Sequence, residues 1–130
     1  MIGIKQKYGY KYEVIYHPKF REELVDVYID YSNKQEIIVE KIDYYTKQLL
    51  EKGPVVLAEG ATAFGKVKNS RRIFEIRLIK KNPNLRILFS FLDDYQIIFL
   101  TIFYEKNKSD YERYIAIAEN RLKIYIRNNY

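Results

Sequence analysis

Two arginines interrupt the most strand-like stretch of the sequence. Residues 72–89, RIFEIRLIKKNPNLRILF, have the pattern of two strands joined by a turn, and Arg77 and Arg86 lie within those strands. A guanidinium group in a hydrophobic core is costly unless an anion meets it. On an open sheet face, its fork of donors matches a phosphate. Two alternatives therefore remain open: a phosphate site, or an internal ion pair with Glu75 or another carboxylate.

Strand periodicity assigns the arginines to a face of the sheet, because successive side chains point to opposite sides. The apolar set comprises Phe74, Ile76, Leu78, Leu85, Ile87, Phe89 and Phe91. The opposite set includes Glu75, Arg77, Arg86 and Ser90. We expect helices to cover the apolar set and to leave the arginines on an uncovered face, outside the core.

Further cations flank the hairpin on both sides in the sequence. The segment FGKVKNSRR, residues 64–72, contains Lys66, Lys68, Arg71 and Arg72. The segment FYEKNK, residues 103–108, contains Tyr104, Lys106 and Lys108. The sequence predicts that these groups ring one concave surface together with the two arginines.

The charge of the chain is unevenly distributed. Residues 1–65 contain 9 Lys and Arg against 10 Asp and Glu, whereas residues 66–130 contain 14 against 7. A basic excess confined to the half with the hairpin favours a polyanionic partner such as nucleic acid. The alternative is a basic surface that serves solubility and has no ligand.

The composition excludes several kinds of chemistry. The 130 residues include no Cys and one His, which excludes disulfides and thiolate metal sites and predicts neither a metal site nor a cofactor. His17 precedes Pro18, so we expect it to cap a helix or lie on the surface. AEGATAFGK, residues 58–66, lacks the spacing of a phosphate-binding P-loop. A two-histidine ribonuclease and a nucleotide hydrolase are thereby set aside.

The sequence also predicts the location of the protein. No apolar run approaches the roughly 20 residues of a membrane span. The first residues, MIGIKQKYGYKYE, lack the apolar core of a signal peptide. We expect a cytoplasmic protein that does not interact with membranes.

The elements that must position these residues follow from the hydrophobic pattern. A strand at 10–18 precedes a helix near 20–31 and a second helix that starts within 32–36 and stops at 52–54. Strands follow at roughly 72–79, 85–92 and 96–104, and a capping box at 109–112 opens a last helix. This order predicts an α+β fold. A small, mostly antiparallel sheet of about four strands has two N-terminal helices and a C-terminal helix on one side. One domain, residues 1–130, contains them all.

The chain resembles a known family in several segments at once. These are FGK, IFEIRLI, LRILFSF, IIFLTIFYEK and IAIAENRLKIY, with EIR at 75–77, RILF at 86–89 and the step from Phe103 to Lys106 as the most specific parts. Together they resemble the RelE superfamily of bacterial toxins and, within it, the phage-derived HigB-like branch. The resemblance implies a RelE-like fold and a metal-independent, ribosome-dependent endoribonuclease that cuts mRNA. It also implies a type II toxin–antitoxin pair with a helix-turn-helix, HigA-like antitoxin.

The resemblance also implies roles for individual residues. Arg77, Arg86 and Lys106 match positions where the family tends to keep basic active-site groups, and Lys66 matches a substrate-contacting lysine. For cleavage by the RNA 2′-hydroxyl, the arginines would stabilise the phosphorane and Lys106 would accept the proton. Tyr104 or a lysine would protonate the leaving oxygen. The remaining RNA-binding candidates are Lys68, Arg71, Arg72 and Lys108.

The sequence departs from the family pattern in the last strand. Thr101 and Ile102 stand where the family often has histidine, and Glu105 stands where it often has lysine. These departures imply a weakened or differently tuned active site. Two other functions also remain open. One is a non-enzymatic, ParE-like gyrase inhibitor, and the other is a degenerate relative that only binds nucleic acid or antitoxin. The basic residues Arg77, Arg86 and Lys106 favour RNA cleavage over gyrase inhibition, and the degenerate relative stays open.

Overall fold

The computed structural model describes residues 11–59, 63–93 and 95–130. Its elements are β1 (Glu13–Tyr16), α1 (Phe20–Asp30), α2 (Gln35–Lys52), β2 (Phe64–Lys66), β3 (Phe74–Ile79), β4 (Leu85–Phe91), β5 (Gln96–Tyr104) and α3 (Lys108–Asn129). The predicted α+β class and element order are confirmed. Strand β2 was not predicted, because its three residues lie in a segment whose glycines indicated loops. Residue 10 of the predicted first strand lies outside the described residues.

The strands form one sheet in the order β1-β5-β4-β3-β2. Strand β1 runs parallel to β5, and the other neighbours are antiparallel. Arg77 of β3 lies directly opposite Arg86 of β4, so both side chains leave the sheet on one face. The register therefore brings the two arginines together, as the strand periodicity predicted.

Hydrophobic clusters occupy both faces of the sheet. Helices α1 and α2 cover the face of Ile76, Ile87 and Phe99. Helix α3 covers the other face, where Ala118 and Leu122 pack against a second apolar set: Val67, Ile73, Leu88, Ile98, Leu100 and Phe103.

The prediction that all helices lie on one side is therefore wrong. Strand β5 is apolar on both faces, and its second face must also be buried. As a result, α3 packs on the face that the sequence assigned to exposed arginines.

A capping box sets the start of α3. The Asn107 side chain accepts a hydrogen bond from the Asp110 backbone N–H, and the Asp110 carboxylate accepts one from the Asn107 N–H. The capping box predicted at 109–112 is thus wrong by two residues. Because the helix begins at Lys108, Tyr111 lies in its first turn, against the sheet.

A mostly buried ion pair joins α1 to α3 beside β5. Arg121 donates to both carboxylate oxygens of Glu23 at 2.9 Å and to the Leu100 carbonyl at 2.8 Å. The hydroxyl of Thr101, which is fully buried, donates to the same carboxylate at 2.9 Å. This bidentate pair fixes the two helices relative to the strand between their layers.

Candidate nucleic-acid interface

A buried carboxylate holds both predicted arginines. Arg86 Nη1 lies 3.1 and 3.2 Å from the two oxygens of Glu75, and Arg77 Nη2 lies 3.5 Å from one of them. The Glu75 side chain is 7% exposed, that of Arg86 14% and that of Arg77 37%. The contact with Arg86 is the stronger of the two, because it is shorter and more deeply buried.

Arg86 is held on two further sides. Its Nε donates to Asn84 Oδ1 at 3.3 Å, and Asn84 in turn donates to Glu105 at 3.2 Å. Its Cζ lies 4.7 Å from the centre of the Tyr111 ring, and the Tyr111 hydroxyl donates to Glu75. Burial, followed by this hydrogen bond, raises the pKa of Tyr111, so the hydroxyl keeps its proton at neutral pH.

The two arginines therefore differ in what they offer to a ligand. Arg86 makes the internal ion pair that the sequence left open as an alternative, and the expectation of an uncovered side chain is wrong for it. Arg77 keeps about a third of its side chain exposed. Arg77 reaches the shared Glu75 carboxylate only through the longer and more exposed contact, so its charge is the less well matched of the two, which favours an anion beside Arg77.

Tyr104 and Lys106 lie at a different place. The Tyr104 ring packs edge-on against Tyr31, on the side of α1, and its hydroxyl donates to Asp30 at 2.5 Å. That hydrogen bond, with desolvation, raises the pKa of Tyr104 to about 12. Lys106 Nζ lies 5.3 Å from the centre of the same ring.

A groove between α1 and α3 surrounds this second pair. Its lining includes the carboxylates of Glu23, Asp26, Asp30 and Asp110. Carboxylates repel a phosphate backbone, so the surroundings of Lys106 are less favourable to RNA than those of Arg77. The four predicted catalytic residues thus form two separate pairs.

The predicted RNA-binding residues do not form a single ring. Lys66 is exposed and lies opposite Phe74, whose side chain packs with the α1–α2 cluster, so the register places it on the face opposite the arginines. Lys68, Arg71 and Arg72 are exposed in the connection between β2 and β3, and Lys108 is exposed at the start of α3. Arg71 and Arg72 border a surface recess with Lys123 of α3.

A recess beside Arg77 contains cations that the sequence did not single out. Lys41 of α2 and Lys80 line it together with Arg77, over apolar side chains that include Tyr45. Sequence patterns gave no signal for Lys41, because its approach to β3 depends on how α2 packs. These residues place two further cations at the edge of the sheet next to Arg77.

His17 makes a local hydrogen bond just before α1, which itself has no side-chain cap at Lys19. Its Nδ1 accepts a hydrogen bond from the Lys19 backbone N–H at the start of α1, at 3.1 Å. Burial, and next the nearby Arg121, lower its pKa. Among the described residues, no group of three or more His, Cys, Asp or Glu side chains is arranged to hold a metal ion. Within the same part of the chain, no helix is both long and apolar enough to span a membrane.

Comparisons with known proteins support the fold and establish the family. The structure of the YoeB dimer from Staphylococcus aureus is similar with a TM-score of 0.52 and 20% sequence identity, over 73% of this chain and 98% of that chain. No curated protein matches the chain. Residues 32–123 match the family model described as "Phage derived protein Gp49-like (DUF891)". The predicted resemblance to RelE-like toxins is confirmed, and the chain belongs to the phage-derived Gp49-like family.

Proposed function

We propose that the protein is the HigB-like toxin of a type II toxin–antitoxin pair and cleaves mRNA on the ribosome. Family membership supports a toxin, and one structural observation carries the RNA-directed activity. Arg77 and Arg86 lie opposite each other on one face and share the carboxylate of Glu75. The weakly paired and partly exposed guanidinium group of Arg77 suits a phosphate group.

The proposed reaction uses the nucleophile of the RNA itself. The 2′-oxygen attacks the adjacent phosphorus and loses its proton, while the bond from phosphorus to the 5′-oxygen breaks and that oxygen gains a proton. The products are a cyclic phosphate and a 5′-hydroxyl end. Arg77 and the Nη2 group of Arg86 would stabilise the negative charge of the phosphorane, with Arg86 held in place by Glu75.

The predicted proton carriers have to act from the neighbouring groove. Lys106 is proposed as the base and Tyr104 as the acid, but the Tyr104 proton is directed at Asp30. With a pKa of about 12, Tyr104 is a weak acid at neutral pH. Turnover on free RNA should therefore be slow, and positioning of the mRNA by the ribosome would supply much of the rate.

The proposed protein partner is a helix-turn-helix, HigA-like antitoxin in the cytoplasm. A basic surface around Arg77, Lys41 and Lys80 is matched best by an acidic segment. We expect the antitoxin to cover Arg77. Hydrogen exchange on the complex should then show protection within residues 74–80, and protection confined to α1 would contradict this expectation.

Mapping RNA 5′ ends after induction in a bacterial host tests the activity. The wild type should create new 5′ ends within translated transcripts, and Arg77→Gln should reduce them by about a hundredfold, as for loss of one preorganised donor. Arg127→Gln is the matched control, because Arg127 is exposed in the last turn of α3. Unchanged transcripts together with gyrase-linked DNA breaks would favour the ParE-like alternative.

A second candidate is a relative that binds RNA or antitoxin without cutting. The observation in its favour is the separation of Tyr104 and Lys106 from the two arginines. For a cleaving enzyme, Lys106→Ala should slow single-turnover cleavage on saturated ribosomes. Ribosome binding by the wild type with no cleavage at all would favour the binding protein.

A further inference from the structure

We propose that Tyr111 is a positioning residue that aims Arg86 at the RNA phosphate. This inference rests on the proposed function and concerns the same site. Tyr111 touches the arginine and its counter-ion at once, although it comes from a different layer of the fold. Its ring lies 4.7 Å from Arg86 Cζ, and its hydroxyl donates to Glu75.

The contacts of Arg86 occupy two of its three nitrogen atoms and one face of its guanidinium plane. A guanidinium group carries five N–H donors in one plane. Nε uses its proton on Asn84, Nη1 faces both oxygens of Glu75, and the Tyr111 ring covers one face of the plane. No residue in the described part of the chain accepts a hydrogen bond from Nη2. This amino group is therefore the donor that remains for a ligand.

Tyr111 fixes the counter-ion as well as the arginine. The carboxylate of Glu75 receives Arg86, Arg77 and the Tyr111 hydroxyl, so removal of the hydroxyl frees one of three restraints on it. Since Arg86 takes its orientation from Glu75, a looser carboxylate gives a looser guanidinium group. Preorganised donors lose most of their catalytic effect when their orientation is no longer fixed.

The capping box explains why this tyrosine reaches the sheet. It starts α3 at Lys108 and thereby places Tyr111 in the first turn. Tyr114 lies three residues on, and its ring stacks on Phe103 with centres 4.3 Å apart. Within the described residues, the Tyr114 hydroxyl has no hydrogen-bond partner, which makes Tyr114→Phe the matched control for loss of a hydroxyl.

Two measurements on folded protein test the proposal. The first is solvent exchange of the Arg86 Nε proton, measured by nitrogen-15 NMR without RNA. Tyr111→Phe should accelerate this exchange several-fold, Tyr111→Leu should accelerate it more because the ring contact is also lost, and Tyr114→Phe should leave it unchanged. The second is single-turnover cleavage of mRNA on saturated ribosomes, for which Tyr111→Phe should lower the rate about tenfold and leave ribosome affinity unchanged.

The outcomes separate this inference from the proposed function. If exchange responds as expected and the wild type does not cleave RNA, the positioning role stands and the proposed function fails. If the wild type cleaves and Tyr111→Phe cleaves equally fast, the positioning role is overturned. Unchanged Arg86 exchange in both Tyr111 variants would also overturn it. Melting curves for each variant verify that the compared proteins are folded.

Discussion

Replacing Arg86 should destabilise the fold as well as impair the site. The pair between Arg86 and Glu75 is mostly buried, with side chains 14% and 7% exposed. Arg86→Met keeps much of the aliphatic volume and removes the charge. Glu75 then remains in a low-dielectric environment with Arg77, at 3.5 Å, and the Tyr111 hydroxyl as its partners. A buried charge that loses its main partner is strongly unfavourable.

The structure sets the size of the effect. Two charges 3.1 Å apart attract by roughly 5 kcal/mol at an effective dielectric constant of about 20. Removing one partner of a buried pair costs about 3–5 kcal/mol, and the remaining partners of Glu75 favour the lower end. We expect a loss of about 3 kcal/mol in the free energy of unfolding. For 130 residues, the entropy of unfolding is about 0.27 kcal/mol/K, so the Tm should fall by about 11 °C.

Urea denaturation of four variants measures this prediction. Arg86→Met, Glu75→Gln and the double variant form a cycle in which the double variant should be at least about 1.5 kcal/mol more stable than additivity implies. Arg77→Met is the matched control and should cost about 1 kcal/mol or less, because its pair is longer and more exposed. A cost below about 1 kcal/mol for Arg86→Met, or an additive cycle, would refute the reasoning.

Three further changes probe the structure around the site. The pKa of Tyr104 is raised to about 12 by its bond to Asp30, so its contribution to stability is full below pH 10 and is lost as the pH rises from 10 to 12. Urea midpoints of the wild type should therefore approach those of Tyr104→Phe over this range, and a constant difference would contradict the shift. Asn107→Ala should cost about 1 kcal/mol in chemical denaturation, because it removes the cap of α3. Gly53→Ala should lower the Tm, since Gly53 has a φ of 57° and an added Cβ would collide with the Tyr12 ring.

Strand periodicity predicted the sheet well and the helix layers poorly. The alternation in β3 and β4 correctly placed Arg77 and Arg86 on one face, because a buried apolar face fixes the register. The same pattern does not say what covers the other face. That depended on β5, whose residues from Ile97 to Phe103 are buried on both sides and therefore require helices in two layers. The uninterrupted apolar sequence of β5 was the one pattern that indicated helices on both faces of the sheet.

The contacts of the arginines could be predicted only as alternatives. Glu75 lies two residues from Arg77 in the same strand, which made an ion pair foreseeable. Its stronger partner is Arg86, eleven residues away, and the preference depends on burial beneath Tyr111. Tyr111 in turn depends on where α3 begins, and the predicted capping box was displaced by two residues. Local sequence patterns thus predicted which side chains share the face, while tertiary packing determined which of them contact each other.

The buried environment of Thr101 bears on how a protein of this kind would cleave RNA. The resemblance places Thr101 where related toxins often have histidine, but here the side chain is fully buried and bonded to Glu23, which Arg121 clamps. The one histidine of the chain, His17, accepts a hydrogen bond from the Lys19 backbone just before α1. Under the proposed function, no imidazole stands beside Arg77 and Arg86 in the described residues to move a proton near neutral pH. The rate would then depend on fixed guanidinium groups and on substrate positioning by the ribosome, so Thr101→His should disrupt the Glu23 network rather than increase cleavage.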